Sequence, residues 1–225
     1  MIVSYKKKFI FVKNYKVAGS SIENLIYPHL TNIDIIAQTK DYRGINSFGE
    51  FDIQSMVNLP SEMRDKYIYN KVKFFAHMPA WLIKERITPH VYNHFFKFSI
   101  LRNPWDLIVS HYKWQNNTNN HNRSMLSFDQ IIDNIKTTHP YELINNLNRI
   151  MDLNQKEIIV DQIIDFANLE DDLKDILKKF DIDFEVIPHK KKSEKTNYRD
   201  FYNNKQKDIV YKYFKKTIEI MKYEY

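Results

Sequence analysis

The sequence has no cysteine, only three glycines and seven prolines in 225 residues. Without cysteine there is no disulfide, no thiolate metal site and no cysteine nucleophile. With so few glycines, each is expected where the backbone must be approached closely, Gly19 above all. No apolar run reaches the length of a membrane span, so stable membrane insertion is not expected. The opening Met1-Ile-Val-Ser-Tyr-Lys-Lys-Lys8 is too short and too basic ahead of its apolar run for a signal peptide, and a cytoplasmic protein is the expectation.

What is present is 43% hydrophobic and 15% aromatic residues, enough for one sizeable core, and a single domain over 1–225 is expected. The apolar residues come in short runs broken by charge, unlike a disordered chain. The net charge is +6, part of it in clusters at Lys6–Lys8 and Lys190–Lys192. Such runs form a solvated basic face, or meet a nucleotide phosphate, an anionic glycan or a nucleic acid.

Along the chain, residues 8–12 are β-prone and lead through a polar loop into helical spacing at Ile22, Leu25, Ile26 and His29. Residues 32–70 read as irregular surface with one short helix. Further strands are expected at 71–76, ending at His77, and at 95–101, 157–166 and 183–187. Helices are expected from Pro79, from Asn103-Pro104, near 127–137 and 140–150, after an Asn168 cap, and from Lys205 onward. Residues 114–124 and the basic stretch 188–197 read as loops. Strands alternating with helices give an α/β fold with a mostly parallel sheet covered on both faces.

Two segments carry chemistry. Between Lys13 and Ser21 a strand ends in a small-residue loop that opens a helix, where backbone N–H groups and the helix dipole favour an anion. Gly19 allows close approach, Ser20 and Ser21 add hydroxyls, and Lys16 can reach an oxygen bridging two anionic groups. The Walker order is absent, because the lysine precedes the glycine. An ordinary strand–helix turn with exposed lysines fits the loop shape equally. In the second segment, Arg102 leaves a strand end and Ser110 lies about two turns into the next helix, where guanidinium and hydroxyl could grip a phosphate. Pairing of Arg102 with a carboxylate is the alternative.

As patterns, both segments resemble the sulfotransferases. Val12-Lys-Asn-Tyr-Lys-Val-Ala-Gly-Ser-Ser21 resembles their 5′-phosphosulfate loop, particularly in the carbohydrate type of sulfotransferase family 2, which includes the heparan sulfate 2-O-sulfotransferases. Arg102-Asn-Pro-Trp-Asp-Leu-Ile-Val-Ser-His-Tyr112 resembles their 3′-phosphate motif at every specified position. Phe166-Ala-Asn-Leu-Glu170, Ile187-Pro-His189 and the spaced tyrosines Tyr198, Tyr202, Tyr213, Tyr223 and Tyr225 are similar to the end of such chains.

The resemblance implies a P-loop-like three-layer sandwich and 3′-phosphoadenosine 5′-phosphosulfate (PAPS) as donor, with no metal. It puts Lys16 in the place of the catalytic lysine and Lys13 in that of a basic residue three positions earlier. Val17, Ala18, Gly19, Ser20 and Ser21 take the rest of the 5′ loop, with Val17 replacing the usual threonine. Arg102 and Ser110 take the 3′-phosphate, and Ser193 and Thr196 sit in a loop that folds over the nucleotide. His77 matches a strand-end histidine of sugar sulfotransferases and is the expected base, titrating near neutrality; Glu85, His94 and His111 are the other candidates. Ala167 replaces an expected glutamate. The acceptor implied is a hydroxyl, favoured as a glycan, with no nucleic acid as partner. A small-molecule kinase and a non-enzymatic polyanion- or nucleic-acid-binding module are the competing functions.

Overall fold

The computed structural model describes residues 1–37, 44–47, 73–116, 125–135, 145–188 and 197–225. Among the described residues five strands form one sheet: β1 (Ile2–Ser4), β2 (Phe9–Val12), β3 (Ile35–Ile36), β4 (Phe96–Leu101) and β5 (Gln162–Asp165), in the order β3-β1-β2-β4-β5. β2 pairs parallel with β4 and β4 with β5, whereas β1 runs antiparallel to both β2 and β3. Only β1 therefore opposes the other four strands, and the sheet is mostly parallel, as expected.

Every residue of β2 is buried because helices cover both faces. Ile10 and Val12 face α2 (Ala80–Arg86), α3 (Pro89–His94) and the segment containing Leu147 and Ile150. Phe9 and Phe11 face α1 (Gly19–Ile26) and α6 (Leu169–Lys178). The period-two alternation of a strand thus sorts neighbouring apolar residues into two cores. A third cluster joins α4 (Pro104–Gln115), α5 (Phe128–Asn134), α7 (Asn204–Tyr213) and α8 (Lys215–Met221) around Trp105, Ile108, Ile131, Val210 and Phe214.

Helix starts follow their caps. Asn103 accepts from the Trp105 N–H ahead of α4, with Pro104 at the first helical position. Ser127 with Gln130, and Asn203 with Gln206, form capping boxes for α5 and α7.

Several expectations are corrected. Residues 73–76 form no strand, and 71–72 lie outside the described residues. Phe74 and Met78 instead lay their side chains on one face of the sheet, so the apolar run reflects packing onto the sheet and not pairing within it. Residues 183–187 are likewise unpaired, with Ile182 and Ile187 tucked into the opposite core after Asp181 turns left-handed (φ 52°). Asn168 makes no side-chain cap; Asp165 accepts from the Ala167 N–H and starts a 3-10 turn that runs into α6. Of the helix expected near 140–150, residues 140–144 lie outside the described residues and 148–150 form a single 3-10 turn, and the terminal helix breaks at Phe214. β1 and β3 lie in stretches where no strand was expected, and Lys6–Lys8 belong to the β1–β2 turn.

Candidate active site

The carboxyl ends of β2 and β4 lie side by side, as parallel pairing of Val12 with Ser99 requires. Asn14 locks the junction: its Nδ2 donates to Ser99 Oγ (3.1 Å) and to the Ile100 carbonyl (3.0 Å). Both predicted loops therefore leave the sheet from neighbouring strand ends, the edge where open α/β sheets bind ligands.

In the first loop, Lys16 and Ala18 both take left-handed backbone conformations, each with φ 57°. Non-glycine residues rarely adopt them, and here they turn the chain abruptly into α1. The Ser21 and Ile22 N–H groups both donate to the Ala18 carbonyl, at 2.9 and 3.1 Å. The N–H groups ahead of them are those a helix start leaves without an intrahelical acceptor. Gly19 does not have a positive φ. Its importance is steric: a Cβ there would lie 2.7 Å from Lys13 Cγ. Val17 is fully buried beside Ile22 and Ile26, so its replacement of threonine fills the core.

Lys13 lies beneath the loop and is 4% exposed. Its ammonium donates to Ser20 Oγ at 3.2 Å and ion-pairs with the buried Glu23 carboxylate, whose other oxygen accepts from the Met1 α-ammonium at 2.6 Å. Burial pushes the Glu23 carboxyl up, yet the two cations hold it below its usual value. Burial takes the Met1 α-ammonium down to about 6. Ser21 is buried and Ser20 is exposed at the helix start. Lys16 is half-buried, its Nζ 5.5 Å from the centroid of the Trp114 ring.

The second motif meets the first through Arg102. Its Nη1 donates to the Lys16 carbonyl at 2.8 Å and its Nε to Asp106 at 2.7 Å, while the guanidinium lies 4.3 Å from the Phe166 ring centroid. Nη2 takes part in none of these bonds. Asp106 and Ser110 are four apart on α4 and share a helix face, so the half-buried Ser110 lies on the side where Arg102 ends. Arg102 thus does pair with a carboxylate, with Nη2 outside that pair and outside the bond to Lys16. The tail secures this junction. Tyr202 donates its hydroxyl to the Trp105 carbonyl at 2.8 Å, Asn103 donates to the Glu224 carbonyl at 2.9 Å, and Tyr225 packs edge-on against Trp105.

His77 stands in a turn before α2. Its ring stacks on Tyr15, with centroids 3.8 Å apart and planes at 13°. Its Nδ1 is buried, with no hydrogen-bond partner among the described residues. Burial, then the Lys13, Arg149 and Met1 cations, hold its pKa well below the ordinary imidazole value, against a smaller opposing pull from a hydrogen bond to the Lys13 backbone. Of the other base candidates, His94 is on α3, bonded through Nδ1 to the His90 carbonyl at 2.8 Å, and Glu85 is on α2. His111 is on α4 beside Trp114.

Lys13, Lys16, Val17, Ala18, Gly19, Ser20, Ser21, His77, Arg102 and Ser110 thus gather at the ends of β2 and β4. Ser193, Thr196 and His189 lie outside the described residues. Sequence reasoning assigned no role to Tyr15, Glu23, Asp106, Asn146, Arg149 or Phe166. Asp106 carried a legible signal, four residues after Arg102 across the helix start; Asn146 and Arg149 carried none. Among the described residues, no cluster of three or more His, Asp or Glu could hold a metal ion, and no helix is long and apolar enough to cross a membrane.

A family model described as the sulfotransferase family matches residues 1–224. An uncharacterized protein of Archaeoglobus fulgidus is 29% identical over 123 residues, covering 54% of this chain and 98% of the relative. The solved structure of mouse sulfotransferase SULT7A1 complexed with PAP superposes with a TM-score of 0.50 at 14% identity, covering 96% of this chain and 85% of that one. The likeness in fold extends over nearly the whole chain.

Proposed function

The chain belongs to the sulfotransferase family, and on that premise we propose that it transfers the sulfuryl group of PAPS to a carbohydrate hydroxyl. The observation that carries this reading is the bond from Arg102 to the Lys16 carbonyl, which makes one site of two motifs 86 residues apart in the chain.

The donor set fits a nucleotide with an anionic group at each of two ends. The start of α1, the Ser20 hydroxyl, the Lys16 ammonium, Arg102 Nη2 and the Ser110 hydroxyl are all hydrogen-bond donors. The Asp106 carboxylate beside them is ion-paired with Arg102 Nε. In this reading Arg102 and Ser110 hold the 3′-phosphate, as a charge-assisted fork and a hydroxyl would. The loop from Val17 to Ser21 holds the 5′ end. Lys13 acts from below: it neutralises Glu23 and fixes Ser20.

PAPS supplies an activated sulfuryl group when bound. The chain aligns it and stabilises charge on the leaving oxygen, which is the work of Lys16. His77, kept neutral by burial and by surrounding cations, accepts the acceptor hydroxyl's proton. The test is incubation of purified protein with labelled PAPS and a cell extract, followed by mass spectrometry of carbohydrates and small metabolites. The expected result is label on a carbohydrate and release of adenosine 3′,5′-bisphosphate. Label on a non-carbohydrate hydroxyl would overturn the acceptor assignment, and absence of any transfer would overturn the activity.

A further inference from the structure

Residues 145–151 cross the site from the side opposite α1, and their side chains divide by direction. Leu147 and Ile150 are buried in the core, anchoring the segment to the sheet. Asn146 and Arg149, three apart through the 3-10 turn Asn148–Ile150, both reach Tyr15 or His77, as the near-eclipsed i,i+3 spacing of such a turn allows.

Asn146 clamps the backbone of Tyr15 from both sides. It accepts from the Tyr15 N–H at 2.9 Å and donates to the Tyr15 carbonyl at 2.9 Å. Tyr15 immediately precedes Lys16, so this reciprocal pair fixes the loop one residue before the catalytic lysine. Asn146 is 3% exposed, and such a bidentate amide cannot be replaced by water without moving the segment.

Arg149, 7% exposed, donates from Nη1 to the His77 carbonyl, and its guanidinium lies 4.7 Å from the Tyr15 ring centroid. The Tyr15 ring therefore has Arg149 on it and stacks in turn on His77. We infer that Asn146 and Arg149 are positioning residues for the transfer, holding the Tyr15–His77 ring pair in register with the loop that carries Lys16.

The charges acting on the imidazole come from three elements besides its own: Lys13 at the end of β2, the Met1 α-ammonium ahead of β1, and Arg149. Glu23 on α1 is paired with the first two. Among these cations Lys13 acts on the imidazole most strongly and Arg149 next, and Arg149 is the one that belongs to the clamp. The catalytic part of the inference rests on His77 being the base, and the experiment separates the two.

Three variants in the full chain, Arg149→Gln, Arg149→Lys and Asn146→Ala, are compared with His77→Ala. The readouts are the rate of label transfer from PAPS into the cell-extract carbohydrate pool, calorimetric affinity for adenosine 3′,5′-bisphosphate, and titration of the His77 imidazole by NMR. Arg149→Gln should lower transfer about 10–100-fold, the scale of a small misplacement of a reacting group. It should leave nucleotide affinity within about threefold and move the His77 titration to higher pH. Arg149→Lys keeps the charge but not the planar fork, so its titration stays near wild type while transfer is intermediate. Asn146→Ala should lower transfer without moving the titration. Should Arg149→Gln not fold, the other two carry the test, and wild-type transfer in both overturns the inference. A folded Arg149→Gln with an unmoved His77 titration overturns it as well. If His77→Ala transfers normally while the titration in Arg149→Gln still moves, the base assignment fails and the clamp stands.

Discussion

The Arg102 guanidinium bonds the Lys16 carbonyl at 2.8 Å, so the residue assigned to one end of the nucleotide also shapes the loop assigned to the other. The second bond, from Nε to Asp106 at 2.7 Å, orients the fork, and Nη2 takes part in neither bond. A lysine, with a single point charge, cannot make this arrangement.

Arg102→Ala should weaken binding of adenosine 3′,5′-bisphosphate by about 1.5–3 kcal/mol, the loss of a charge-assisted contact. Adenosine 5′-monophosphate, which lacks the 3′-phosphate, should lose less but still measurably, because the Lys16 loop loses a tether. Arg102→Lys should not restore either affinity. Calorimetry with both nucleotides checks this, and equal losses for the two would remove Arg102 from the 3′-phosphate.

Lys16→Ala should lower kcat by about 10²–10³, the scale of removing one charge-stabilising donor. Product-nucleotide affinity should change far less, since the backbone of the loop is held by Arg102 and by the clamp on Tyr15. Single-turnover kinetics with labelled donor is the measurement; a kcat within a few-fold of wild type would remove the Lys16 ammonium from the transfer step.

His77 should make transfer fall on the acid side, at a pH well below that of an ordinary histidine. A general base works in its neutral form, and burial together with Lys13, Arg149 and the Met1 α-ammonium disfavours protonation. Activity should therefore persist through neutral pH and decline only as pH falls through the depressed pKa. His77→Ala should cost about 10²–10⁴ in turnover with nucleotide affinity preserved. A wild-type acid limb centred at the ordinary imidazole value, unchanged in the mutant, would place the base elsewhere, with His111 the next to test.

Glu23→Gln should destabilise the fold by about 3–5 kcal/mol, because it leaves the Lys13 ammonium buried without its counter-charge. Gly19→Ala should cost about 1–3 kcal/mol, since its Cβ would collide with the Lys13 stem, whose ammonium is held at Glu23 and Ser20. Denaturant unfolding measures both. A Gly19→Ala protein of normal stability would mean that Lys13 can shift, and that the ion pair does not hold it.

Sequence patterning located the strand–loop–helix units around Lys16 and Arg102, because each is built from short-range signals: an apolar run, a cap or proline, then helical spacing. The β2 and β4 strands, the α4 cap at Asn103 and the presence of a helix at α6 were legible for the same reason. The stretch before His77 misled because the three consecutive apolar residues Phe74, Phe75 and Ala76 look alike whether they pair within a sheet or lie upon it. The two-residue β3 is below the length at which any pattern shows.

The residue types at the nucleotide motifs, the absence of thiol chemistry and the alternation that sorts Phe9 and Phe11 from Ile10 and Val12 were determined by the sequence alone. Tertiary structure decided what each polar residue faces. It turned Lys13 inward to Glu23, gave Val17 to the core, brought Arg102 to the Lys16 carbonyl, and set Asn146 and Arg149 against Tyr15 and His77 across more than 70 residues of chain. Periodicity encodes which side of an element is apolar, but a hydrogen bond between distant segments depends on directions that exist only once the sheet has aligned its strand ends.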